Sequence, residues 1–431
     1  MELQLEPKQN VTAVKFTLSK QMLANICFMM FFASDMISFC TTRLFRLYGW
    51  EDYAWILASI IIYFPLLLMP LASGERRSMR DFLMLWATAL LAFGITIMVH
   101  PEYEAWFHHP LYGVFNYIFR PDRALYAYLM VRMVNDPKEI LKNLKFVSYI
   151  LAVYGLYKFA NAMQAGSWLA LTANGYEELS YSMSFGYDMM LPSMVFMYYA
   201  LKDKEILPGV LSVMCLLMIL VSGSRAPLLW IIVFFTVMLI SGFLTSKVKF
   251  IWGLTVPGFL LIYLKLEDLI NFLAIFLQSH GISGRSINML LAGSISDDNG
   301  RAAIYEIAIE MIRNMGFFGY GLYGDRYVIG NYYFWGYPHN IFLEILLTFG
   351  VLGGGLLIFF LLYHSVRILI KCQDDDWLDL FLIFLACSLK LLLSDSYWYV
   401  PEFWAAIAVV YSWNRQQKTS DNERMKQINV G

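Results

Sequence analysis

The stretch from residue 341 to 367, IFLEILLTFGVLGGGLLIFFLLYHSVR, contains a single formal charge, Glu344, before it ends at Arg367. At about 1.5 Å per residue, a helix of this length exceeds the roughly 30 Å of hydrocarbon in a bilayer. Similar apolar runs recur along almost the whole chain, which is 59% hydrophobic and only 15% charged. Soluble domains carry about 25% charged residues, so a soluble enzyme, a disordered chain and a soluble nucleic-acid binder are excluded as main interpretations. We therefore predict a polytopic membrane protein.

The pattern predicts an all-α fold with about twelve transmembrane helices. Lipid-exposed backbone must satisfy its own hydrogen bonds, and the alternating pattern of a β-barrel is absent. The fourth predicted span is interrupted by charged residues and by Pro121. The approximate limits of the spans are 21–42, 53–72, 81–99, 111–134, 144–163, 184–201, 206–221, 226–243, 248–265, 341–367, 377–395 and 398–414.

Lysine and arginine in the short loops predict the orientation, because cytoplasmic loops are enriched in them. One set of alternate connections contains nineteen such residues, and the other contains Arg43, Arg46 and Arg225. This bias places both termini in the cytoplasm and one large loop on the outer, periplasmic side. The nineteen are Lys8, Lys15, Lys20, Arg76, Arg77, Arg80, Lys138, Lys142, Lys145, Lys202, Lys204, Lys247, Lys249, Arg367, Lys371, Arg415, Lys418, Arg424 and Lys426.

The chain is expected to divide into four regions: an N-terminal transmembrane bundle at 1–265, an external loop at 266–340, C-terminal transmembrane helices at 341–414 and a cytoplasmic tail at 415–431. Apolar residues at helical spacing predict a helix in the external loop, from about Gly300 to Met315. Asp297, Asp298 and Asn299 are its N-cap candidates. We interpret it as a surface helix that lies on the membrane with its apolar face down. The alternative is a helix packed on the other spans, and the sequence leaves both arrangements open.

Three arginines on the external side are candidate anion ligands. Arg225 lies in the hexapeptide SGSRAP between two apolar segments, where a charge is a functional hypothesis, although an arginine at a helix end can also snorkel to the interface. Arg301 lies in the first turn of the loop helix, where a cation opposes the helix dipole unless an anion binds there. Its alternative is a surface arginine paired with Glu306 or Asp298. Arg285 is the third, and its alternative is a solvated loop charge.

His339 lies in the tetrapeptide YPHN, immediately before the apolar run that begins at Ile341. A histidine in this position can accept or orient a proton, although a structural hydrogen bond is the alternative role. Tyr337, Asn340 and Glu344 are candidate supporting residues, and Glu344 lies one helical turn beyond Asn340. The external side has no DxD, and the chain has no GxSxG, HExxH or P-loop motif, so we expect neither a metal nor another cofactor.

These motifs together resemble a known family. Their order, and their shared position on the predicted outer side of the membrane, resemble those of the O-antigen ligase/O-antigen polymerase superfamily of bacterial polytopic membrane glycosyltransferases. The resemblance covers roughly residues 210–400. The motifs that carry it are, in order, SGSRAP, GRAAIYEIAIEMI, GYGLYG, YPHNIFLEILLTFGVLG and LLSDSYW. The resemblance implies a GT-C-like helical fold in the bacterial inner membrane. It also implies metal-independent transfer of a glycan from an undecaprenyl-pyrophosphate-linked donor on the outer face. Mapped by motif, Arg225 and Arg301 would bind the pyrophosphate and His339 would serve the acceptor hydroxyl, whereas Arg285 has no secure counterpart.

Three functions remain open at this point. A polymerase, which we favour, would extend another lipid-linked repeat, and a ligase would transfer the glycan to lipid A–core. Both belong to polysaccharide or lipopolysaccharide biosynthesis for the cell envelope, with membrane lipid, a flippase and a chain-length regulator as expected partners and no nucleic acid. A transporter for lipid-linked sugars is the alternative from another class. It would be expected to show internal repeats and helices broken near the midplane, and the sequence shows neither.

The charge bias predicts the topology directly. Reporter fusions after Lys142 and Lys418 should give a cytoplasmic signal, and a fusion at Asp298 should give a periplasmic one, because positively charged loops are retained inside. Paired alkaline phosphatase and green fluorescent protein fusions at each position measure this. A cytoplasmic signal at Asp298 would move the candidate site residues to the wrong side of the membrane.

Overall fold

The computed structural model describes residues 19–73, 76–110, 112–172, 175–179, 181–245, 301–372 and 375–428, together with the single residues 272, 275 and 279. The predicted span at 248–265, Arg285 and the N-cap candidates Asp297, Asp298 and Asn299 lie outside these residues.

Helices dominate the described part of the chain, as the apolar runs predict. Its first half contains α1 (Lys20–Phe32), α2 (Ser34–Leu47), α3 (Ala54–Ser73), α4 (Arg76–Val99), α5 (Glu104–Phe107), α6 (Val114–Tyr117), α7 (Tyr126–Val134) and α8 (Pro137–Ala165), with 3-10 turns at Glu51–Tyr53 and Pro101–Tyr103. The rest contains α9 (Met183–Asp188), α10 (Met190–Lys202), α11 (Ile206–Val221), α12 (Arg225–Thr245), α13 (Arg301–Asn314), α14 (Gly324–Ile329), α15 (Ile341–Lys371), α16 (Asp375–Ser388), a 3-10 turn at Leu389–Leu392 and α17 (Pro401–Ile428).

A two-stranded sheet departs from the all-α prediction. Strands β1 (Trp168–Thr172) and β2 (Gly175–Leu179) pair antiparallel, with Trp168 opposite Leu179. The hairpin follows α8, in the connection between the fifth and sixth predicted spans. Strand edges leave backbone groups unpaired, so a hairpin is compatible with a membrane protein outside the hydrocarbon or against protein.

Three described helices are long and apolar enough to cross a membrane, at Glu51–Ala72, Arg76–Val99 and Ile341–Lys371. Helices α1 and α2 add a fourth if they count as one span bent by 76°. These helices support the prediction of a membrane protein, but the count of about twelve spans is not confirmed. One physical reason is length, because α10 and α11 have 13 and 16 residues and a span needs about 20.

The fourth predicted span is not a single helix. Between α6 and α7 the chain turns at Arg120 and Pro121, and the Arg120 guanidinium forms two hydrogen bonds with the Asp122 carboxylate at 2.7 and 2.8 Å. Proline removes a backbone donor and clashes with the preceding helical turn. The local charge pair then holds the turn, so the prediction of one continuous helix over 111–134 was wrong.

Helix α15 is broken at Gly350, where the backbone has φ 72° and ψ 175°. The carbonyls of Leu347 and Thr348 accept hydrogen bonds from the backbone N–H groups of Tyr320 and Gly321, at 2.8 and 3.1 Å. A Cβ atom at Gly350 would collide with the Phe317 carbonyl, so only glycine fits. The break at Gly350 and the bend between α1 and α2 correct the prediction of unbroken spans. Nothing in the sequence indicated the break, because Gly350 lies within a continuous apolar run.

A buried arginine joins the segment before α15 to the C-terminal helices. Arg326 on α14 is only 1% exposed, and its Nη1 donates to both carboxylate oxygens of Asp325 at 2.8 and 2.9 Å. Its Nη2 donates to Glu344 Oε1 at 3.0 Å and to Ser396 Oγ at 2.8 Å. The Tyr323 ring covers the guanidinium at 4.3 Å. This network fixes α14, the first turn of α15 and the segment before α17 relative to one another.

Loss of this arginine should destabilise the protein. Arg326→Met keeps the side-chain volume but leaves Asp325 and Glu344 buried without their partner, which costs about 3–5 kcal/mol. The midpoint of thermal unfolding in detergent, followed by circular dichroism, should fall clearly below that of the wild type. Arg313→Met is the matched control, because Arg313 is exposed at the end of α13 and surface substitutions stay within about 0.5 kcal/mol. Equal midpoints for the two variants would contradict a stabilising network.

Candidate functional site

The SGSRAP hexapeptide forms the turn between α11 and α12. Gly223 takes a left-handed conformation with φ 79°, which allows the chain to reverse between the two helices. The carbonyl of Ser222 accepts a hydrogen bond from the N–H of Ser182, at 2.8 Å, just before α9. Ser224 is 1% exposed and lies so close to Gly186 of α9 that a Cβ atom there would collide with it. The turn is therefore held firmly against α9.

Arg225 is the first residue of α12 and is half-buried. The turn sets the position of its backbone, because Ser224, the residue before it, packs on α9. A cation in the first turn of a helix faces the free N–H groups of that turn, which is unfavourable alone and favourable around an anion. The position therefore keeps the features that the sequence suggested for an anion ligand.

Arg301 is the first residue of α13 and is also half-buried. The apolar face of α13, formed by Ile304, Ala308 and Met311, packs against Ile329 and Leu347 of α14 and α15. Of the two arrangements that the sequence left open for this helix, the structure has the one packed on other helices. This packing fixes the start of α13, and Arg301 with it, against the C-terminal helices.

His339 lies between Tyr337 and Asn340 with a left-handed backbone at φ 53°. Such a conformation is uncommon for residues other than glycine, with histidine among the enriched exceptions. The imidazole packs on the Tyr337 ring, with the ring centroids 4.6 Å apart. Within the described part of the chain, no hydrogen bond holds either ring nitrogen. No described residue therefore provides the partner that a structural hydrogen bond of His339 would need.

The environment keeps His339 uncharged. Burial and, next, the positive charge of Arg301 lower the pKa of His339 from 6.5 to about 4. Both causes disfavour the imidazolium, so the ring is neutral at pH 7 and offers a nitrogen lone pair. A neutral imidazole without a hydrogen-bond partner among the described residues can accept a proton from an incoming hydroxyl group.

Arg301 and His339 lie close enough for the charge of one to shift the pKa of the other. The charge of Arg301 also reaches Tyr187 on α9, and Lys390 Nζ lies 5.7 Å from the centre of the Tyr187 ring. Helix α9 thus lies between the turn that carries Arg225 and the neighbourhood of Arg301. The structure brings Arg301 and His339 together directly and joins Arg225 to them through α9.

The candidate supporting residues have structural contacts. Asn340 caps α15 by accepting hydrogen bonds from the N–H groups of Phe342 and Leu343, at 3.0 and 3.2 Å, and it donates to the Leu392 carbonyl at 3.2 Å. Glu344 is 1% exposed and engaged by Arg326 and Ser396, so its carboxylate belongs to the buried network. Tyr337 joins the two groups, because its ring lies 4.6 Å from His339 and 5.6 Å from the Arg326 guanidinium.

Sequence reasoning missed four residues of this region: Asp325, Arg326, Lys390 and Ser396. Lys390 is 12% exposed and pairs with Glu402 at 3.5 Å. The sequence could have indicated Lys390, because an ionisable residue inside a predicted membrane span is a functional candidate by default. Ser396 lies in the motif LLSDSYW, and Asp325 and Arg326 follow the glycine-rich GYGLYG, but the sequence does not show that these segments meet.

No three histidine, cysteine, aspartate or glutamate side chains come together as a metal site in the ranges that the structure describes. None of the five cysteines forms a disulfide bond, and Cys27, Cys215 and Cys387 are buried. The described cations of this region include Arg225, Arg301 and Lys390, of which Lys390 is paired with Glu402.

Two comparisons with known proteins bear on the identity of the chain. A family model described as O-antigen ligase matches residues 210–360, which contain the SGSRAP turn, the α13 helix, Arg326 and His339. No curated protein matches the chain. The family match confirms the resemblance found in the motifs: over residues 210–360, the chain carries a domain of the O-antigen ligase/O-antigen polymerase superfamily.

Proposed function

We propose that this chain is a glycosyltransferase of the bacterial inner membrane, with both termini in the cytoplasm, that polymerises glycan from an undecaprenyl-pyrophosphate-linked donor on the outer face. The observation that carries the proposal is His339, a neutral imidazole beside a cation and without a hydrogen-bond partner among the described residues. The family domain at 210–360 supports glycan transfer as the reaction class. A flippase that delivers the donor and a regulator of chain length are the partners we propose.

The chemistry needs positive charge at the leaving group and a proton acceptor at the attacking group. As the acceptor hydroxyl oxygen bonds to the anomeric carbon, the bond from that carbon to the diphosphate oxygen breaks and the diphosphate keeps the electron pair. Arg225 and Arg301 would stabilise this growing negative charge. Electrostatic stabilisation of the transition state is usually the largest single contribution to catalysis. Because the arginines supply this charge, we propose a reaction without a metal ion.

His339 would accept the proton of the acceptor hydroxyl. In the free protein its basicity is reduced by burial and by Arg301. A bound diphosphate would offset the charge of Arg301 and raise the pKa of the imidazole toward its ordinary value. The base would thus gain strength when the donor is in place, which discourages proton transfer in its absence.

The main alternative is a ligase that transfers the glycan to lipid A–core. The observation in its favour is the description of the matching family, O-antigen ligase. The two reactions share the donor and the candidate site and differ in the acceptor. The test is to give reconstituted protein either the lipid-linked repeat or lipid A–core as the only acceptor, because the product that forms distinguishes the polymerase from the ligase.

Arg285 stays a candidate pyrophosphate ligand, outside the described residues.

A transporter of lipid-linked sugars is the alternative from another class. The breaks at Gly350 and between α1 and α2 are features that such transporters share. The same liposome assay separates the two functions, because a transporter moves lipid-linked saccharide across the bilayer without forming a glycosidic bond. We favour transfer because the candidate residues suit bond formation and lie within the family domain.

Substitution of either arginine should reduce the reaction strongly. Arg225→Ala and Arg301→Ala should each lower the rate about 10²–10³-fold, by analogy with the removal of one oxyanion donor. Lysine should restore little, because it lacks the planar fork that binds phosphate oxygens in pairs. The measurement is the initial rate of product formation in liposomes with defined lipid-linked donor and acceptor. Arg313→Ala, on the exposed side of α13, is the control, and Arg301→Ala turning over as fast as this control would remove Arg301 from the site.

Substitution of His339 should abolish transfer while leaving donor binding intact. His339→Ala should lower the rate about 10²–10⁴-fold, the usual contribution of general-base assistance. His108→Ala is the control, because His108 is an exposed histidine before α6. Assays in excess chelator test metal independence at the same time, and activity that returns only with added magnesium or manganese would oppose it.

The pH dependence follows from the lowered pKa of His339. Because the neutral ring is the active form and its pKa is about 4, kcat/KM should stay level from pH 8 to about pH 5.5 and fall only near pH 4. In Arg301→Lys, which keeps the charge, the acid limb should stay near pH 4. In Arg301→Ala it should move upward but remain below 6.5, because burial still lowers the pKa. A wild-type limb at 6.5 would contradict the lowered pKa of His339.

A further inference from the structure

A cleft lined by cations and aromatic rings opens beside the candidate site. It consists of two adjoining cavities of about 430 Å³ each, between α2, α8, the β-hairpin and the start of α9. Both cavities are lined by Phe39, Arg43 and Lys158. Ligand sites in proteins commonly have volumes of about 300–1,000 Å³ and combine aromatic walls with a few polar groups. No residue of this cleft belongs to the site proposed above.

The cleft carries positive charge that the described residues do not neutralise. Arg43 and Arg46 are exposed, and neither forms an ion pair within the described part of the chain; Arg43 instead lies over the Phe39 ring at 5.4 Å. Lys158, by contrast, is held by Asp188 at 2.7 Å. Two arginines directed to one cavity suit a ligand with an anionic group, because a guanidinium binds carboxylate and phosphate oxygens in pairs.

The remaining lining groups suit a saccharide. Phe39 packs between Tyr154 and Tyr157, with ring centroids 5.3 and 5.2 Å apart, and forms a continuous aromatic wall with them. The C–H faces of sugar rings are apolar and pack on such walls. Asp35 and Asn161 also line the cleft and can accept hydrogen bonds from hydroxyl groups.

The cleft also lies next to the candidate anion site. Ser182 lines it and donates its backbone N–H to the carbonyl of Ser222, at 2.8 Å, in the turn that leads to Arg225. Ser182 also caps α9, the helix that carries Tyr187 toward Arg301. A ligand in the cleft would therefore lie beside a diphosphate bound at Arg225 and Arg301.

We propose that this cleft is a subsite for an acidic saccharide, one that carries a carboxylate or phosphate substituent, with Arg43 and Arg46 binding the charge and the aromatic wall binding a ring face. The proposal rests on the proposed function, since it assigns a saccharide to a neighbour of the transfer site. The saccharide belongs either to the donor or to the acceptor glycan. The competing occupant is an anionic lipid headgroup bound by the same arginines.

The test measures saccharide binding by the full chain in nanodiscs of phosphatidylcholine. One probe is a tetrasaccharide of alternating glucuronic acid and N-acetylglucosamine, and the neutral control is the N-acetylglucosamine tetrasaccharide. The acidic probe should bind more tightly by isothermal titration. Arg43→Gln and Arg46→Gln should each weaken it about tenfold, as expected for loss of a charge-assisted hydrogen bond, and should leave the neutral probe unaffected. Arg76→Gln, an exposed arginine at the start of α4, is the matched control and should bind like the wild type.

Several outcomes would overturn the subsite. These are equal or absent binding of the two tetrasaccharides, or unchanged binding of the acidic probe by Arg43→Gln and Arg46→Gln. A loss of affinity of tenfold or more when phosphatidylglycerol replaces phosphatidylcholine would assign the arginines to lipid instead. Both arginines are exposed, and unchanged unfolding midpoints confirm that their variants fold. Asn161→Ala, which removes an uncharged lining group, should weaken both probes and tests the saccharide contact independently.

Two further arms separate this proposal from the proposed function. His339→Ala should bind the acidic probe as the wild type does, because His339 does not line the cleft. Selective binding of the acidic probe by a protein that forms no glycosidic bond would support the subsite and reject the transferase function. Glycan transfer without selective binding would support the transferase function and reject the subsite. In a protein that turns over, Arg43→Gln should raise KM about tenfold for the substrate whose glycan occupies the cleft. This identifies the donor or the acceptor as its source.

Discussion

A guanidinium that is 1% exposed sets the arrangement of α14, the start of α15 and the segment before α17. Arg326 can be buried only where carboxylates and hydroxyls meet its N–H groups, because a buried charge without partners costs several kcal/mol. Those partners come from three separate segments, and Glu344 and Ser396 share a hydrogen bond of their own at 2.5 Å. The position of His339 follows from this constraint, since it lies between Tyr337, which packs near Arg326, and Asn340, which caps α15.

The second constraint is electrostatic and acts between Arg301 and His339. A cation beside the half-buried imidazole keeps the ring neutral, and a neutral imidazole has one unprotonated ring nitrogen that can accept a proton. Burial raises the pKa of the adjacent Tyr337 well above its ordinary range, so the phenol also stays uncharged. The only ionised group that a donor diphosphate would meet among these three residues is therefore the Arg301 guanidinium, and this favours an anion on one side of the imidazole.

Part of this arrangement could be predicted from the sequence, because it is encoded locally. The apolar runs indicate helices, the charge in SGSRAP and the YPHN histidine mark the site, and the spacing in GRAAIYEIAIEMI predicts α13. The Arg326 network could not be predicted, because its partners lie 18 and 70 residues away along the chain. The hairpin and the break at Gly350 were missed for a related reason, since both depend on contacts made by other segments. The count of about twelve spans is not confirmed, because described helices such as α10 are shorter than a bilayer needs.

The break at Gly350 explains how the segment before α15 is held in a fixed position beside a candidate membrane helix. An interrupted helix leaves carbonyls without partners, and unsatisfied carbonyls at membrane depth are costly. Here the backbone of Tyr320 and Gly321 satisfies Leu347 and Thr348, and the N–H of Leu322 donates to Thr96 on α4 at 3.2 Å. The loop is thus bound to two helices through its own backbone, just before the residues that carry Arg326. Because the helix cannot close this break without the loop, and α14 follows the loop directly, the helix, the loop and the Arg326 network form one unit. Within that unit, a substrate would meet an imidazole whose position is determined by the fold and whose charge is determined by Arg301.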